Sequence, residues 1–264
     1  LTRLNHPALV TYRVLAQEPN LGLLYIVTEF IEGPSLCDVM GQLQPGPEEL
    51  RQLGIRLADG LRVAHDLGAI HRDISPDNIL LEQGKLDRAK IIDFGIAKDL
   101  DPSSKTIVGD GFAGKLNYVA PEQLGDFGRD VGPWSDIYSL GLVLLAAANG
   151  RNVDMGATLV DAVDRRRAGP DLSGAPAELR PVLERMLAAN PADRFRSMAE
   201  VSSALLGSQA TAFEPAPAPP SPPPPPTPAP STAPNSYAPS TVVDSARKSK
   251  APLIAGAGLA ALLV

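Results

Sequence analysis

A small set of acidic and amide side chains near the middle of the chain could carry out chemistry together. His71-Arg72-Asp73 is followed by Asn78, five residues after Asp73, and Asp93-Phe94-Gly95 begins 20 residues after Asp73. Phosphoryl transfer needs a carboxylate that orients the attacking hydroxyl and oxygen ligands that hold Mg²⁺ on the phosphates. Two carboxylates and an amide in this order therefore indicate a phosphoryl-transfer site.

The elements around these motifs must bring the three side chains together. Pro76 excludes a continuous helix between Asp73 and Asn78, because proline lacks a backbone N–H. Asp93 follows directly after the apolar pair Ile91-Ile92, which predicts a strand, and the glycine after Phe94 lets the chain turn sharply. We therefore expect the acidic groups on loops next to short strands.

Hydrophobic periodicity gives the outline of the remaining elements. Residues 10–16 and 24–30 have the composition of strands. Apolar residues at helical spacing predict a helix over residues 50–67 that stops at Gly68. Similar patterns predict helices over residues 135–148, 156–166, 177–188 and 197–206. The expected fold class is α+β, with helices dominating the later part.

The motifs resemble those of protein kinases. The catalytic loop reads HRDISPDN, the metal loop reads DFG, and Ala120-Pro121-Glu122 would close the activation segment. The resemblance covers roughly residues 1–206 and implies a protein kinase-like fold with a partial β N-lobe and a complete, mainly helical C-lobe. It also implies that Asp73 is the catalytic base, and that Asn78 and Asp93 hold Mg²⁺, with Mn²⁺ as an alternative.

The resemblance also implies an ATP site. Residues 24–33 (LYIVTEFIEG) look like the fifth strand and the hinge, whose backbone binds adenine in kinases. Thr28 would then occupy the gatekeeper position, Glu29 and Ile31 would lie on the hinge, and Leu80 would lie beneath the adenine ring. A core leucine is the simpler interpretation of Leu80, and the two are compatible. ATP is the expected cofactor together with Mg²⁺.

Two further positions resemble structural residues of the family. Asp136 corresponds to the aspartate that braces the catalytic loop, and Arg194 to the late arginine that pairs with the glutamate of the APE motif, here Glu122.

The chain departs from the family pattern in three places. The glycine-rich loop, the strand lysine and the regulatory-helix glutamate are absent, because the sequence begins about where that helix would end, as expected of an N-terminally truncated kinase domain. If the truncation is natural, we expect weak or no ATP binding, since the lysine that holds the α and β phosphates is missing. Ser75 replaces the lysine that usually neutralises the γ-phosphate, and Lys115 replaces a threonine. We hypothesise that Lys115 supplies the missing charge, because lysine binds phosphate as a flexible point charge. A solvent-facing lysine is the alternative.

The composition changes near residue 207, which ends the expected kinase domain (1–207). Thirteen of the 27 prolines lie between Pro215 and Pro239, which predicts an extended spacer over residues 208–246. A docking site for a proline-recognising partner is the alternative for this segment.

A basic flank at residues 247–250 precedes the apolar residues 253–264. This order is typical of the cytoplasmic side of a transmembrane helix, and 12 residues would be its incomplete start, with a floppy apolar tail as the alternative. We expect a single-pass protein of the cell membrane with a cytoplasmic kinase domain. The net charge of -6 argues against nucleic acid as a partner, and the lone Cys37 suits a reducing compartment.

The favoured function is that of a membrane-anchored bacterial receptor-type serine/threonine kinase. Its partners would be protein substrates, including a second copy of itself in trans. Arg72 suggests control by phosphorylation of the activation segment, for which Ser103, Ser104 and Thr106 are the candidates. A pseudokinase scaffold, a small-molecule kinase and a transmembrane adaptor without chemistry are the alternatives, and tyrosine specificity stays open.

Overall fold

A computed structural model describes residues 4–17, 24–94 and 116–208 of the chain. The predicted linker, basic flank and apolar segment, residues 209–264, lie outside these ranges, as does the activation segment up to Lys115. Within the described ranges, no helix is both long and apolar enough to cross a bilayer.

Two antiparallel hairpins form the β part of the described chain. Strand β1 (Tyr12–Gln17) pairs with β2 (Leu24–Thr28), and this confirms the two strands predicted over residues 10–16 and 24–30. Strand β3 (Ile79–Leu81) pairs with β4 (Ala89–Ile91), with Ile79 opposite Ile91. The hairpin of β3 and β4 lies between the catalytic-loop and metal-loop motifs.

The described residues also form six α-helices: α1 (Leu36–Val39), α2 (Pro47–Asp66), α3 (Pro133–Asn149), α4 (Leu159–Ala168), α5 (Arg180–Met186) and α6 (Met198–Gly207). Helix α3 is buried over almost its whole length, which is expected of a helix that is apolar all round. The five helices predicted from periodicity are therefore all present.

Helix α2 packs against α3 and α6 through a single buried face. Leu50, Leu53, Leu57 and Leu61 recur at helical spacing on this face and are fully or almost fully buried. Gly54 lies at the contact, where an added Cβ would come within 2.8 Å of Leu205. These three helices form the core of the α part, and the catalytic loop follows directly from the end of α2.

Candidate active site

The β3–β4 hairpin places two of the predicted chemical residues at one end. Asn78 directly precedes β3, and Asp93 follows β4 after one intervening residue. Because the strands are antiparallel and Ile79 faces Ile91, these two positions lie at the same end of the hairpin. The backbone N–H of Ile92 donates to the carbonyl of Asn78 at 3.0 Å, so the metal loop is joined directly to the catalytic loop.

Asp73 contacts the Asn78 amide and thereby orients it. The Asn78 Nδ2 donates to the carbonyl of Asp73 at 2.7 Å and approaches its carboxylate oxygen at 3.5 Å. Since the amide nitrogen is engaged, the amide oxygen is directed away from Asp73. Amide and carboxylate oxygens are ligands that Mg²⁺ accepts, usually alongside waters and substrate phosphates. Asn78 and the exposed Asp93 therefore fit a magnesium site that a phosphate group completes.

This fit involves two protein ligands only. In the part of the chain that the structure describes, no group of three or more His, Cys, Asp or Glu side chains could hold a metal ion. A site with few protein ligands is consistent with Mg²⁺ bound through nucleotide phosphates rather than in an all-protein cage.

His71 is fully buried and connects the catalytic loop to the metal loop. Its Nε2 lies 2.8 Å from the carbonyl of Ile92, which can only accept, so Nε2 carries the proton. Its Nδ1 then accepts from the backbone N–H of Asp73 at 3.3 Å. Burial lowers the pKa of the His71 imidazole, which favours this neutral form. The ring therefore positions the catalytic loop and does not act as an acid.

Asp136, at the start of α3, braces the catalytic loop as expected. Its carboxylate accepts from the backbone N–H groups of His71 and Arg72, each at 2.8 Å. Arg72 has a φ of 65°, a conformation that costs free energy for a residue with a side chain. The carboxylate also accepts from His65 Nε2 at 2.8 Å, so it fixes a strained turn immediately before Asp73.

His65 belongs to this brace but was not found from the sequence. It lies in the last turn of α2, where a histidine is also favoured simply by the helix dipole. Its side chain is 8% exposed, and Asp136 is fully buried. The signal in the sequence was its position six residues before His71, on a helix that leads into the catalytic loop. That position alone does not distinguish a histidine at a helix end from a hydrogen-bond donor to Asp136.

Phe94, the residue after Asp93, packs against two aromatic rings. The ring lies 4.7 Å from the His71 ring and 6.4 Å from the Tyr12 ring, and it is almost fully buried. The backbone N–H of Phe94 donates to the Tyr12 hydroxyl at 3.1 Å, and burial raises the pKa of that phenol. Tyr12, which was not found from the sequence, thus connects β1 to the metal loop.

Three of the residues predicted to bind adenine, Thr28, Glu29 and Ile31, follow one another along the chain, and the fourth, Leu80, lies on β3. Thr28 is exposed at the end of β2, Ile31 is buried, and Leu80 is half-buried in the middle of β3. The chain leaving the hinge runs against β3, where the backbone N–H of Leu81 donates to the carbonyl of Pro34 at 2.9 Å. Gly33 permits this approach, since an added Cβ would lie 1.9 Å from the Leu81 oxygen.

The carboxylate of Glu29 is occupied by protein donors. One oxygen accepts from Lys90 Nζ at 2.8 Å, and from the backbone N–H and the hydroxyl of Thr11 at 2.9 and 3.2 Å. Partial burial tends to raise the pKa of the Glu29 carboxyl, but the hydrogen bonds from Lys90 and Thr11 together outweigh it and lower that pKa. The backbone N–H of Glu29 also donates to the carbonyl of Thr11 at 3.0 Å, so contact of Glu29 with adenine stays a prediction.

The segment that carries the APE motif is fixed on two sides. Arg194 pairs with Glu122 through two contacts of 2.9 and 3.0 Å, and both side chains are fully buried, which confirms the predicted pair. Gln123 Nε2 donates to the carbonyl of Arg72 at 2.9 Å, and Gln123 Oε1 accepts from the backbone N–H of Ala120. The APE segment is thus joined to the residue before Asp73.

Four of the residues singled out in the sequence cannot be located in the structure. Lys115, Ser103, Ser104 and Thr106 lie outside the described residues. Ser75 is buried within the catalytic loop, where its carbonyl accepts from the backbone N–H of Asn78 at 3.0 Å. The proposed replacement of a lysine at Ser75 by Lys115 stays a hypothesis.

Comparison with known proteins gives one consistent family. The sequence profile described as "Protein kinase domain" matches residues 1–204. The serine/threonine-protein kinase AfsK of Streptomyces coelicolor is 34% identical over 206 residues, which cover 75% of this chain and 25% of AfsK. The serine/threonine-protein kinase PknA of Mycobacterium tuberculosis is 33% identical over 225 residues, covering 81% of this chain and 50% of PknA.

Solved structures show the same likeness. The PknI kinase domain of Mycobacterium tuberculosis is similar with a TM-score of 0.58 and 28% identity, over 78% of this chain and 74% of that one. Rad53 in complex with AMP-PNP is similar with a TM-score of 0.63 and 26% identity, over 76% of this chain and 51% of that one.

The matched region is a fraction of the curated relatives. The chain spans 25% of the length of AfsK and 50% of the length of PknA. The predicted kinase-like fold, with its helical C-lobe and small β N-lobe, is confirmed by these neighbours. The site geometry, the profile match and the structural likeness agree, and the chain belongs to the protein kinase family.

Proposed function

We propose that this protein is an ATP-dependent serine/threonine protein kinase that transfers the γ-phosphate of ATP to hydroxyl groups of proteins. The observation that carries the proposal is the arrangement around the β3–β4 hairpin, where Asn78 and Asp93 lie at one end and the Asn78 amide contacts Asp73. The serine/threonine kinases among the relatives support the substrate class. Proteins of this family use ATP and Mg²⁺, and the oxygen ligands Asn78 and Asp93 suit that metal.

In the proposed reaction the acceptor hydroxyl attacks the γ-phosphorus of ATP. A new oxygen–phosphorus bond forms, the bond between the γ-phosphorus and its bridging oxygen breaks, and ADP leaves. Asp73 orients the hydroxyl and accepts its proton. Asn78 and Asp93 would hold Mg²⁺, which would neutralise charge on the phosphates when bound. The buried His71 and Asp136 keep Asp73 in place. Lys115 would supply the positive charge that is missing at Ser75.

The test is incorporation of labelled phosphate into the protein, extended upstream of residue 1 to restore the strands that carry the glycine-rich loop and the lysine, and into a generic protein acceptor, with Mg²⁺ or Mn²⁺. We expect the wild type to incorporate label and the Asp73→Asn variant to lose this activity. Asparagine keeps the shape of the side chain but is a much weaker proton acceptor than a carboxylate. In Lys115→Ala we expect a fall of about tenfold or more in turnover, since one charge near the developing phosphate charge is removed.

Each result has a distinct meaning. Unchanged turnover in Lys115→Ala would show that Lys115 does not replace the missing lysine, without affecting the main proposal. No label from the wild type with either metal would contradict phosphoryl transfer and would favour a scaffold. Label on phosphotyrosine alone would contradict the serine/threonine assignment.

We further propose that the protein is anchored in the cell membrane, with residues 1–207 on the cytoplasmic side. Arg247, Lys248 and Lys250 directly before the apolar residues 253–264 support this orientation. We expect full-length protein to sediment with membranes and to resist extraction by high salt and by alkaline carbonate. Recovery of the protein in the supernatant after either wash would contradict the anchor.

A further inference from the structure

Helix α4 carries three consecutive arginines that have different surroundings. Arg165 pairs with Asp154 at 2.7 Å and Arg167 pairs with Asp126 at 2.8 Å, and their side chains are 49% and 59% exposed. Arg166 between them is fully buried. Exposed pairs of this kind contribute little to stability, whereas a buried guanidinium is costly unless its N–H groups are hydrogen-bonded. Arg166 therefore requires a structural explanation that its neighbours do not.

The Arg166 guanidinium bonds to backbone carbonyls. Nε donates to the carbonyl of Val119 at 2.6 Å, and Nη2 donates to the carbonyl of Leu116. Nη1 donates to the carbonyls of Met155 and Ala162 at 3.1 and 2.8 Å. One rigid, planar group thus joins α4 and the preceding loop to the segment 116–119. Lysine, with a single point charge, could not bond to the same set of carbonyls.

Side chains from α3 and α4 hold the segment 116–119 in the part of the chain that the structure describes. Ser139 Oγ on α3 donates to the carbonyl of Tyr118 at 2.7 Å, and the Tyr118 hydroxyl donates to Asn152 Oδ1 at 2.5 Å. With the two bonds from Arg166, three of the four carbonyls of this segment accept from α3 and α4. Leu116 and Tyr118 are buried, while Asn117 and Val119 are only half-buried. The segment therefore presents alternate residues on its outer side.

This segment is connected to the catalytic loop through the side chain of Gln123. It continues into Ala120, whose backbone N–H donates to Gln123 Oε1, and Gln123 Nε2 donates to the carbonyl of Arg72. Arg72 precedes the proposed base Asp73. A shift of the segment 116–119 would therefore change the surface beside the point where an acceptor hydroxyl must lie.

We infer that Arg166 is a positioning residue for the protein acceptor: it fixes the segment 116–119 as the surface against which the acceptor chain docks next to Asp73. The acceptor is an extended protein segment with a serine or threonine hydroxyl, and the residues flanking that hydroxyl would meet Asn117 and Val119. The inference rests on the proposed function, because it specifies how the acceptor of that reaction is bound.

The experiment compares Arg166→Gln and Arg166→Lys with Arg167→Gln in the full-length protein. Arg167→Gln removes an arginine from the same helix and leaves the carbonyl contacts of Arg166 intact. Myelin basic protein serves as the acceptor. The measurements are KM for the acceptor at saturating ATP, KM for ATP at saturating acceptor, the rate of ATP hydrolysis without acceptor, and the thermal unfolding curve.

We expect both Arg166 variants to raise the acceptor KM by about tenfold or more, since two carbonyls of the docking segment lose their donor. KM for ATP and acceptor-free ATP hydrolysis should change less than about twofold, because the contacts of Asp73, Asn78 and Asp93 are untouched. Arg167→Gln should match the wild type in all four measurements. Arg166→Lys keeps the buried charge, so the acceptor KM can be measured on this variant if Arg166→Gln does not fold.

Two results would overturn this inference and leave the proposed function standing. One is an unchanged acceptor KM in a folded Arg166 variant. The other is a parallel loss of acceptor phosphorylation and acceptor-free ATP hydrolysis, in proportion to the unfolded fraction, which would give Arg166 a purely structural role. Failure of the wild type to phosphorylate any acceptor would instead overturn the proposed function, and the inference with it.

Discussion

At the scale of single residues, one buried carboxylate fixes the geometry before the proposed catalytic base. Asp136 accepts three hydrogen bonds, from His65 and from the backbone of His71 and Arg72. A carboxylate offers two oxygens to these donors, whereas an asparagine offers one oxygen and turns an N–H₂ group toward an N–H donor. Position 136 therefore requires a side chain in which both terminal atoms accept hydrogen bonds, as a carboxylate does.

We predict that Asp136→Asn lowers turnover by roughly 10²-fold, because a displacement of Asp73 by about 1 Å is enough for such a loss. The free energy of unfolding should fall by about 1–3 kcal/mol, since a buried donor loses its partner. Phosphate transfer and urea unfolding measure the two effects. Asp130→Asn, at an exposed position just before α3, is the matched control, and wild-type turnover in Asp136→Asn would contradict the brace.

The candidate catalytic residues could be named from the sequence because their chemistry demands particular side chains at particular spacings. Asp73, Asn78 and Asp93 belong to motifs in which a carboxylate or an amide is required. Tyr12 and Arg166 could not be predicted in the same way. A tyrosine at the start of a strand and an arginine on a charged helix are ordinary residues in sequence, and only the fold shows that both are buried against the loops of the site.

At the scale of elements, the sequence predicted the helices better than their ends. The predicted helix 156–166 begins at Leu159, because Thr158 caps it by accepting from the backbone N–H of Asp161. The predicted helix 50–67 begins earlier, at Pro47, a residue well suited to the first helical position. Local capping thus decided boundaries that hydrophobic periodicity leaves open.

The short strands were harder to predict than the helices. Only residues 91–92 were predicted as a strand in the region of the site, while the structure has the pair β3 and β4 with three residues each. Strands of this length contain too few residues to show an alternating pattern. Their pairing is fixed instead by contacts distant in sequence, such as the bond from Val10 to the carbonyl of Ile91 at 2.9 Å, which no local pattern encodes.

At the scale of the whole molecule, the pair of Glu122 and Arg194 joins the APE segment to the late helices. The two residues are 72 positions apart and both are fully buried. Ser135 Oγ donates to Glu122 at 2.6 Å, and the Arg194 guanidinium lies 4.7 Å from the centre of the Tyr138 ring. Arg194 also donates to the carbonyls of Ala188 and Ala189. The pair therefore joins three parts of the described chain.

We predict that Glu122→Gln and Arg194→Met each lower the free energy of unfolding by about 3–5 kcal/mol, because each leaves the other partner buried and uncompensated. The double variant should lose less than the sum of the two, since it contains no uncompensated charge at this site. Urea unfolding of the four proteins gives the coupling energy. Removal of the exposed pair Arg62–Asp66, whose atoms lie 3.3 Å apart, should cost no more than about 1 kcal/mol.

The size of the coupling decides how the APE segment is held. A strong coupling would mean that the segment and the late helices stabilise each other, so that loosening either one exposes the acceptor side of the site. Additive losses would mean that Ser135 fixes Glu122, and the carbonyls of Ala188 and Ala189 fix Arg194, independently of the ion pair. In that case the segment 116–123 would depend on α3 and α4 for its position, and Arg166 would become the more important of the two buried arginines.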